Sequence, residues 1–307
     1  MDFHEKTGQF SDDFLWGVAT ASYQVEGAVK EGGRSPSIWD TFSHTPGKTA
    51  YGHTGDIACD QYHRYKEDVK LMKEMGLGAY RFSLSWPRIL PGGKSAVNKM
   101  GVDYYKGLIG ELKDNNIEPV VTLYHWDLPQ EIEDAGGWPE RSTVDRYLEY
   151  AERCFELFPE VKMWITLNEP YCSSYLGYLY GVHAPGIKDR QKALSAVHHL
   201  LLAHGQAVRA FRRSKREGEI GITLNMQTPR PATGSAKDIE AADRAADLQT
   251  RLFLGPLLGR DYPRRYLDAY PGYTIPIREG DMEIISEKID FLGVNFYTED
   301  VVTHDES

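Results

Sequence analysis

Residues 14–28 read FLWGVATASYQVEGA, and the segment after the apolar run at their start decides the fold. The run FLWGVAT is short and rich in branched and aromatic residues, the signature of a strand. A doubly wound nucleotide-binding sheet would continue with a glycine-rich turn, whose bare backbone amides cradle phosphates. Here the continuation is ASYQVEGA, which carries a glutamine and a glutamate instead. Five further runs of the same kind lie at residues 79–86 (AYRFSLSW), 119–126 (PVVTLYHW), 163–168 (MWITLN), 220–225 (IGITLN) and 290–298 (DFLGVNFYT). Their near-continuous apolarity, rather than alternation, is what parallel strands buried on both faces require.

The segments between the runs have helical periodicity. In residues 60–76, Tyr62, Tyr65, Val69, Met72 and Met75 recur at spacings of three and four, and Gly76 sits where a helix would stop. Val144, Tyr147, Leu148, Ala151, Phe155 and Phe158 form a second stripe, with Ser142 placed to cap it. A third runs through Leu194, Val197, Leu201, Val208 and Phe211. Strand and helix in alternation predict an α/β architecture with right-handed parallel crossovers, and the absent phosphate turn favours a (β/α)8 barrel over a doubly wound sheet. No linker divides the chain; residues 32–55, rich in turn formers, read as a long loop inside the first βα unit.

Composition narrows the function. The 307 residues carry 45 Asp plus Glu against 35 Lys plus Arg, a net charge of −10, which argues against a nucleic-acid partner. Hydrophobic residues make up 41%, enough for a large core, and no apolar run approaches the roughly 18 residues of a membrane span. Cys59, Cys154 and Cys172 lie far apart and form no C-x-x-C, so neither a disulfide framework nor a structural zinc site is indicated. With a polar N-terminus, MDFHEKTGQF, unlike a secretory signal, these features predict a cytoplasmic protein without membrane attachment.

Barrel enzymes carry their chemistry at the C-terminal ends of the strands. Those ends hold Gln24 and Glu26, then Trp86 and Arg88, His125 and Trp126, Asn168 and Glu169, Asn225, and finally Asn295 and Tyr297. Amides, a histidine and indoles converging on one mouth suit a neutral polyhydroxylated ligand such as a sugar. Glu169, immediately after a buried strand and before Pro170, is the candidate proton donor, because desolvation among aromatics disfavours its charged form. Each of these residues alone reads more readily as packing or strand termination; their joint placement on one rim makes them a site. Arg81 and Arg88 read as ion-pair partners of buried carboxylates, Arg88 above all. His198, His199 and His204 share one helix at offsets that scatter their side chains, so core packing is expected rather than metal binding. The charge run at residues 212–219 reads as an exposed helix end.

Together FLWGVATASYQVEGA, YRFSLSWPRILP, TLYHWDLP, WITLNEP, GVHAPG and DFLGVNFYT resemble glycoside hydrolase family 1, the β-glucosidase family, from about Phe10 to about Thr298. The resemblance implies a single (β/α)8 barrel and retaining hydrolysis of β-glycosides without metal or organic cofactor. It makes Glu169 the general acid/base, Asn168 the donor to the sugar 2-hydroxyl, Gln24 and His125 sugar contacts with Trp126 beside them, and Tyr297 the partner of the nucleophile, with Asn295 on the same wall. Tyr171 stands where many relatives carry tryptophan, and Phe296 where tyrosine is usual. The family's nucleophile motif Thr-Glu-Asn-Gly, on strand seven, and the Trp and Glu near strand eight do not occur here, and Glu299 should not be promoted to that role.

Residues 1–307 therefore read as a single incomplete barrel domain, strands one to six of eight, without a nucleophile. The expectation is a fragment that needs a complementing C-terminal chain and is nearly inactive alone. The motifs present leave glucose, galactose, fucose and 6-phosphosugars open as glycones. The alternative is a noncatalytic sugar-binding or interaction module derived from the same fold.

Overall fold

The computed structural model describes residues 10–11 and 13–305. The polar start read in residues 1–9 lies outside them. Six parallel strands form one sheet in the order β1 (Gly17–Ala19), β2 (Ala79–Ser83), β3 (Glu118–Tyr124), β4 (Met163–Asn168), β5 (Glu219–Asn225) and β7 (Phe291–Asn295). All six coincide with the apolar runs of the sequence. A separate parallel pair, β6 (Thr228–Pro231) with β8 (Glu299–Val302), has no counterpart among those runs and stands outside this sheet.

Burial along the strands depends on position in the sheet. In the central β3, β4 and β5 nearly every residue is buried or half-buried, because side chains on one face fill the barrel interior and those on the other meet helices. The two end strands depart from that pattern. All of β1 is exposed, and in β7 Leu292 and Val294 face solvent, since each end strand has one neighbour only.

The crossovers are α1 (Ile38–His44), α2 (Gln61–Glu74), α3 (Lys99–Asp114), α4 (Ser142–Leu157), α5 (Arg190–Arg213) and the short α6 (Asp281–Ile285), among others. Residues 32–55 are thus not all loop: Ser37 and Asp40 form a reciprocal capping box that starts α1. The cap expected from Ser142 is absent. Arg141 occupies the cap position of α4 without a side-chain hydrogen bond, and Ser142 is already helical. Helix α2 ends as expected, with Gly76 in the left-handed region at φ +71°. The apolar stripe of α4 buries Val144, Tyr147, Ala151, Cys154 and Phe155 along α5. Helix α5 is buried on nearly all sides, which explains its three histidines: His198 bonds Tyr262 and Asp281, His199 the Trp138 carbonyl, and His204 Thr166. Arg88 meets Glu26 at 2.9 Å, both buried, the ion pair expected of it. The charge run ends α5 at Arg213 and lies mostly exposed.

Candidate active site

The C-terminal end of β4 builds the centre of the mouth. A register shift against β5 falls between Ile165 and Asn168, and Glu169 then turns into the left-handed region at φ +49° while its amide donates to the Thr223 carbonyl at 2.8 Å. A non-glycine residue there carries backbone strain of order 1–3 kcal/mol, of the kind that clusters at functional positions. After Pro170 the chain enters a π-helix, Cys172–Leu179. Trp126, just past β3, is likewise left-handed at φ +81°, and its indole Nε1 donates to the Asn168 carbonyl at 2.8 Å. The two strained turns are thereby tied to each other.

Across the barrel floor runs one polar network. Arg81 on β2 donates to Asn168 Oδ1 at 2.5 Å, to Thr122 Oγ1 at 3.1 Å and to Asn295 Oδ1 at 3.4 Å. Asn295 on β7 donates through Nδ2 to Asn168 Oδ1, at 3.0 Å, and to Glu169 Oε1. With Asn168 Oδ1 taken by two donors, its Nδ2 is the group that faces His125 Nε2 at 3.1 Å. His125 therefore accepts at Nε2, so its proton sits on Nδ1, which has no partner among the described residues and is free to donate. Burial, aided by the Arg81 charge, pushes the His125 imidazole down to about 3, so it stays neutral across the physiological range. Burial also lowers the Arg81 guanidinium, against the opposing pull of Glu169 and Tyr297.

Glu169 itself is 6% exposed. Its Oε1 receives Asn295, and its Oε2 receives the Cys172 thiol at 3.0 Å. Burial first, and the neighbouring Glu169 charge second, push that thiol far above its ordinary range, so it remains protonated and donates. His183 is pushed down by burial, with Glu169 opposing.

Beside this network opens a cavity of 440 Å³ lined by Gln24, His125 and Trp126, three of the residues expected to contact sugar, together with Tyr23, Trp39 and His183. His183 packs between Trp39 and Trp126, with ring centroids 5.3 Å from each. Glu169 is not part of the cavity wall; it is reached from it through His125, Asn168 and Asn295. Asn225 pairs in register with Asn295 at the ends of β5 and β7, on the same rim. Tyr297 is 83% exposed, and what links it to the site among the described residues is its electrostatic pull on Arg81. Glu299 lies on β8 and pairs with Arg230 at 3.0 Å.

Sequence reasoning left Arg81, Cys172, Trp39 and His183 without a role in the site. Arg81 sits inside β2 rather than at its end, and Trp39 lies within the long first crossover. Cys172, three residues past Glu169, would be found by asking which side chains the next helical turn returns to the carboxyl group. His183 belongs to the quoted GVHAPG motif.

The glycosyl hydrolase family 1 profile matches residues 6–307. β-Glucosidase A of Acetivibrio thermocellus is 49% identical over 301 residues, covering 97% of this chain and 67% of that protein. Among solved structures, the family 1 β-glucosidase of Thermotoga maritima superposes with a TM-score of 0.93 at 47% identity, covering 97% of this chain and 67% of its own. The AHE enzyme of Alicyclobacillus herbarius gives 0.92 at 51% identity, covering 94% and 67%. The chain thus spans about two thirds of these relatives, and its open six-stranded sheet is the corresponding part of an incomplete (β/α)8 barrel. It belongs to glycosyl hydrolase family 1.

Proposed function

We propose that residues 1–307 form one incomplete barrel domain carrying the acid/base half of a retaining β-glycosidase site, and that the attacking carboxylate comes from residues outside them. The observation that carries this reading is the environment of Glu169. It is a buried carboxyl group with a neutral donor on each oxygen, 6% exposed, next to the guanidinium of Arg81. Hydrogen-bond partners of Arg81 among the described residues are all uncharged: Thr122, Asn168 and Asn295. A buried cation bonded only to neutral groups is costly, and a second carboxylate approaching Arg81 would relieve that cost.

Retaining hydrolysis needs two carboxyl groups about 5 to 5.5 Å apart. One attacks the anomeric carbon while Glu169 gives its proton to the leaving oxygen; Glu169 then takes a proton from water as the glycosyl–enzyme bond is broken. The neutral His125 Nδ1–H and the Gln24 amide serve sugar hydroxyls, and Asn168 Nδ2 retains a hydrogen for the 2-hydroxyl. Trp126 supplies an apolar face for the ring, Asn295 and Asn225 the opposite rim, and Tyr297 a phenol for the incoming carboxylate. The names of the relatives, β-glucosidases, support a β-glucoside as substrate.

The test is to mix the chain with a separately produced C-terminal piece of a family relative and assay an aryl β-glucoside. Hydrolysis should appear only in the mixture, and Glu169→Gln should lower it by about 10²–10⁴-fold, the contribution typical of a positioned acid/base. Full turnover by the isolated chain, or an assembled but inert mixture, would refute the proposal.

A further inference from the structure

Cys172 is 7% exposed, and its thiol is directed at one oxygen of Glu169 from the first turn of the π-helix that succeeds the strained Glu169 turn. Its amide also donates to the Glu169 carbonyl at 2.9 Å, so backbone and side chain hold the same residue. The two oxygens of Glu169 are held by donors of different kinds. Asn295 presents an amide hydrogen to Oε1, a group that can donate but not accept through Nδ2, with its orientation fixed by Asn168 and Arg81. Cys172 presents a thiol to Oε2, and a thiol both donates and accepts, weakly in each role, by rotation about one bond.

We infer that Cys172 is a positioning residue for Glu169, making Oε2 the oxygen that gains and loses the proton: the thiol donates to the carboxylate and turns to accept from the carboxyl form. Oε1 faces a fixed N–H, which cannot accept from it, so the carboxyl form finds its acceptor at Oε2. The inference rests on reading Glu169 as the acid/base. The charged and titratable groups around it are Arg81 from β2, His183 from the loop after the π-helix, and the phenol of Tyr297, which reaches it through Arg81. These are unaltered by changes at Cys172, so a difference between Cys172 variants reports the thiol itself.

The experiment is a pH titration of the chain as it stands, monitored by infrared or carbon NMR with carboxyl-labelled glutamate, the Glu169 signal being identified by its loss in Glu169→Gln. In the wild-type chain the S–H stretching band of Cys172 should shift across the Glu169 titration, and Glu169→Gln should abolish the shift. Cys172→Ala should move the Glu169 midpoint upward relative to the wild-type chain, because a donor to the charged form is gone. Cys172→Ser, whose hydroxyl donates and accepts more strongly, should return it to or below the wild-type value. An S–H band insensitive to Glu169, or identical midpoints in all three chains, overturns the assignment. The wild-type band gives the answer even where a substituted chain fails to fold. A coupled pair in a complemented assembly that hydrolyses nothing would instead refute the glycosidase reading and leave the coupling intact.

Discussion

Ser22 Oγ donates to Asp127 Oδ2 at 2.8 Å, a buried hydrogen bond that ties the turn carrying Gln24 to the turn carrying His125 and Trp126. Two segments that line the cavity, about a hundred residues apart in sequence, are thus joined through one carboxyl group. Asp127 is fully buried, and its other oxygen has no partner among the described residues. Burial pushes its carboxyl up from the ordinary value of 3.8 to about 7, against the hydrogen bond from Ser22 and the charge of Arg34.

A folded value above the unfolded one means that, between about 4 and 7, the folded chain holds a proton the unfolded chain has released. Stability from this group is therefore fully present below pH 4, falls as pH rises towards 7, and is level above that. Asp127→Asn cannot ionise and should lose the slope. Urea unfolding midpoints of the two chains, compared from pH 5 to pH 8, should diverge in favour of the variant as pH rises. Parallel curves would show that Asp127 is not protonated in the folded chain.

Asp281 has the opposite sign. It lies buried at the start of α6 and receives both Arg141, through a bidentate pair, and His198 at 2.9 Å. Burial opposes its ionisation, but Arg141, His198 and the Arg278 amide outweigh it and hold the carboxyl well below the usual range. Its stabilisation is present above pH 4 and lost as pH falls through the depressed folded value. Asp281→Asn should cost roughly 3 kcal/mol at pH 7, where it leaves Arg141 and His198 without their anion, and progressively less towards pH 2. Thermal melts of both chains across that range check this; a constant difference would mean that packing, not charge, is what the substitution removes.

How much of this was legible in the sequence depends on range. The β2 to β5 runs could be read because both faces of those strands are buried, which leaves an apolar signature in any six consecutive residues. That Glu169, Asn168 and His125 converge was legible because the barrel brings strand ends together whatever the loops do. The pairing of Cys172 with Glu169 depends on a left-handed residue leading into a π-helix, and neither is set by local composition. The Ser22 to Asp127 and Arg141 to Asp281 bonds join residues more than a hundred positions apart, where a single sequence carries no pairing signal. Ser142 shows the converse error: a good cap residue one position too far along, because the Arg141 carbonyl already accepts the Val144 amide at the start of the helix.

The end strands supply the last prediction. On β7, Leu292 is 38% and Val294 52% exposed, and next to β1 Leu15 and Trp16 are each 51% exposed. Both strands also present a backbone edge paired on one side only. An apolar strand face beside an open edge is a template for another chain, and a lysine there opposes pairing by forcing a charge into the interface. The chain alone should associate with rising concentration in the micromolar range, and Val294→Lys should suppress this without lowering the melting temperature, since Val294 contributes little to the folded core. On the proposed function, a C-terminal piece of a family relative that completes the barrel should suppress association of the wild-type chain in the same way, by occupying these edges. Sedimentation at several concentrations distinguishes the cases: a wild-type chain that stays monomeric throughout, or a Val294→Lys chain that associates equally, would mean that these edges are protected by some other means.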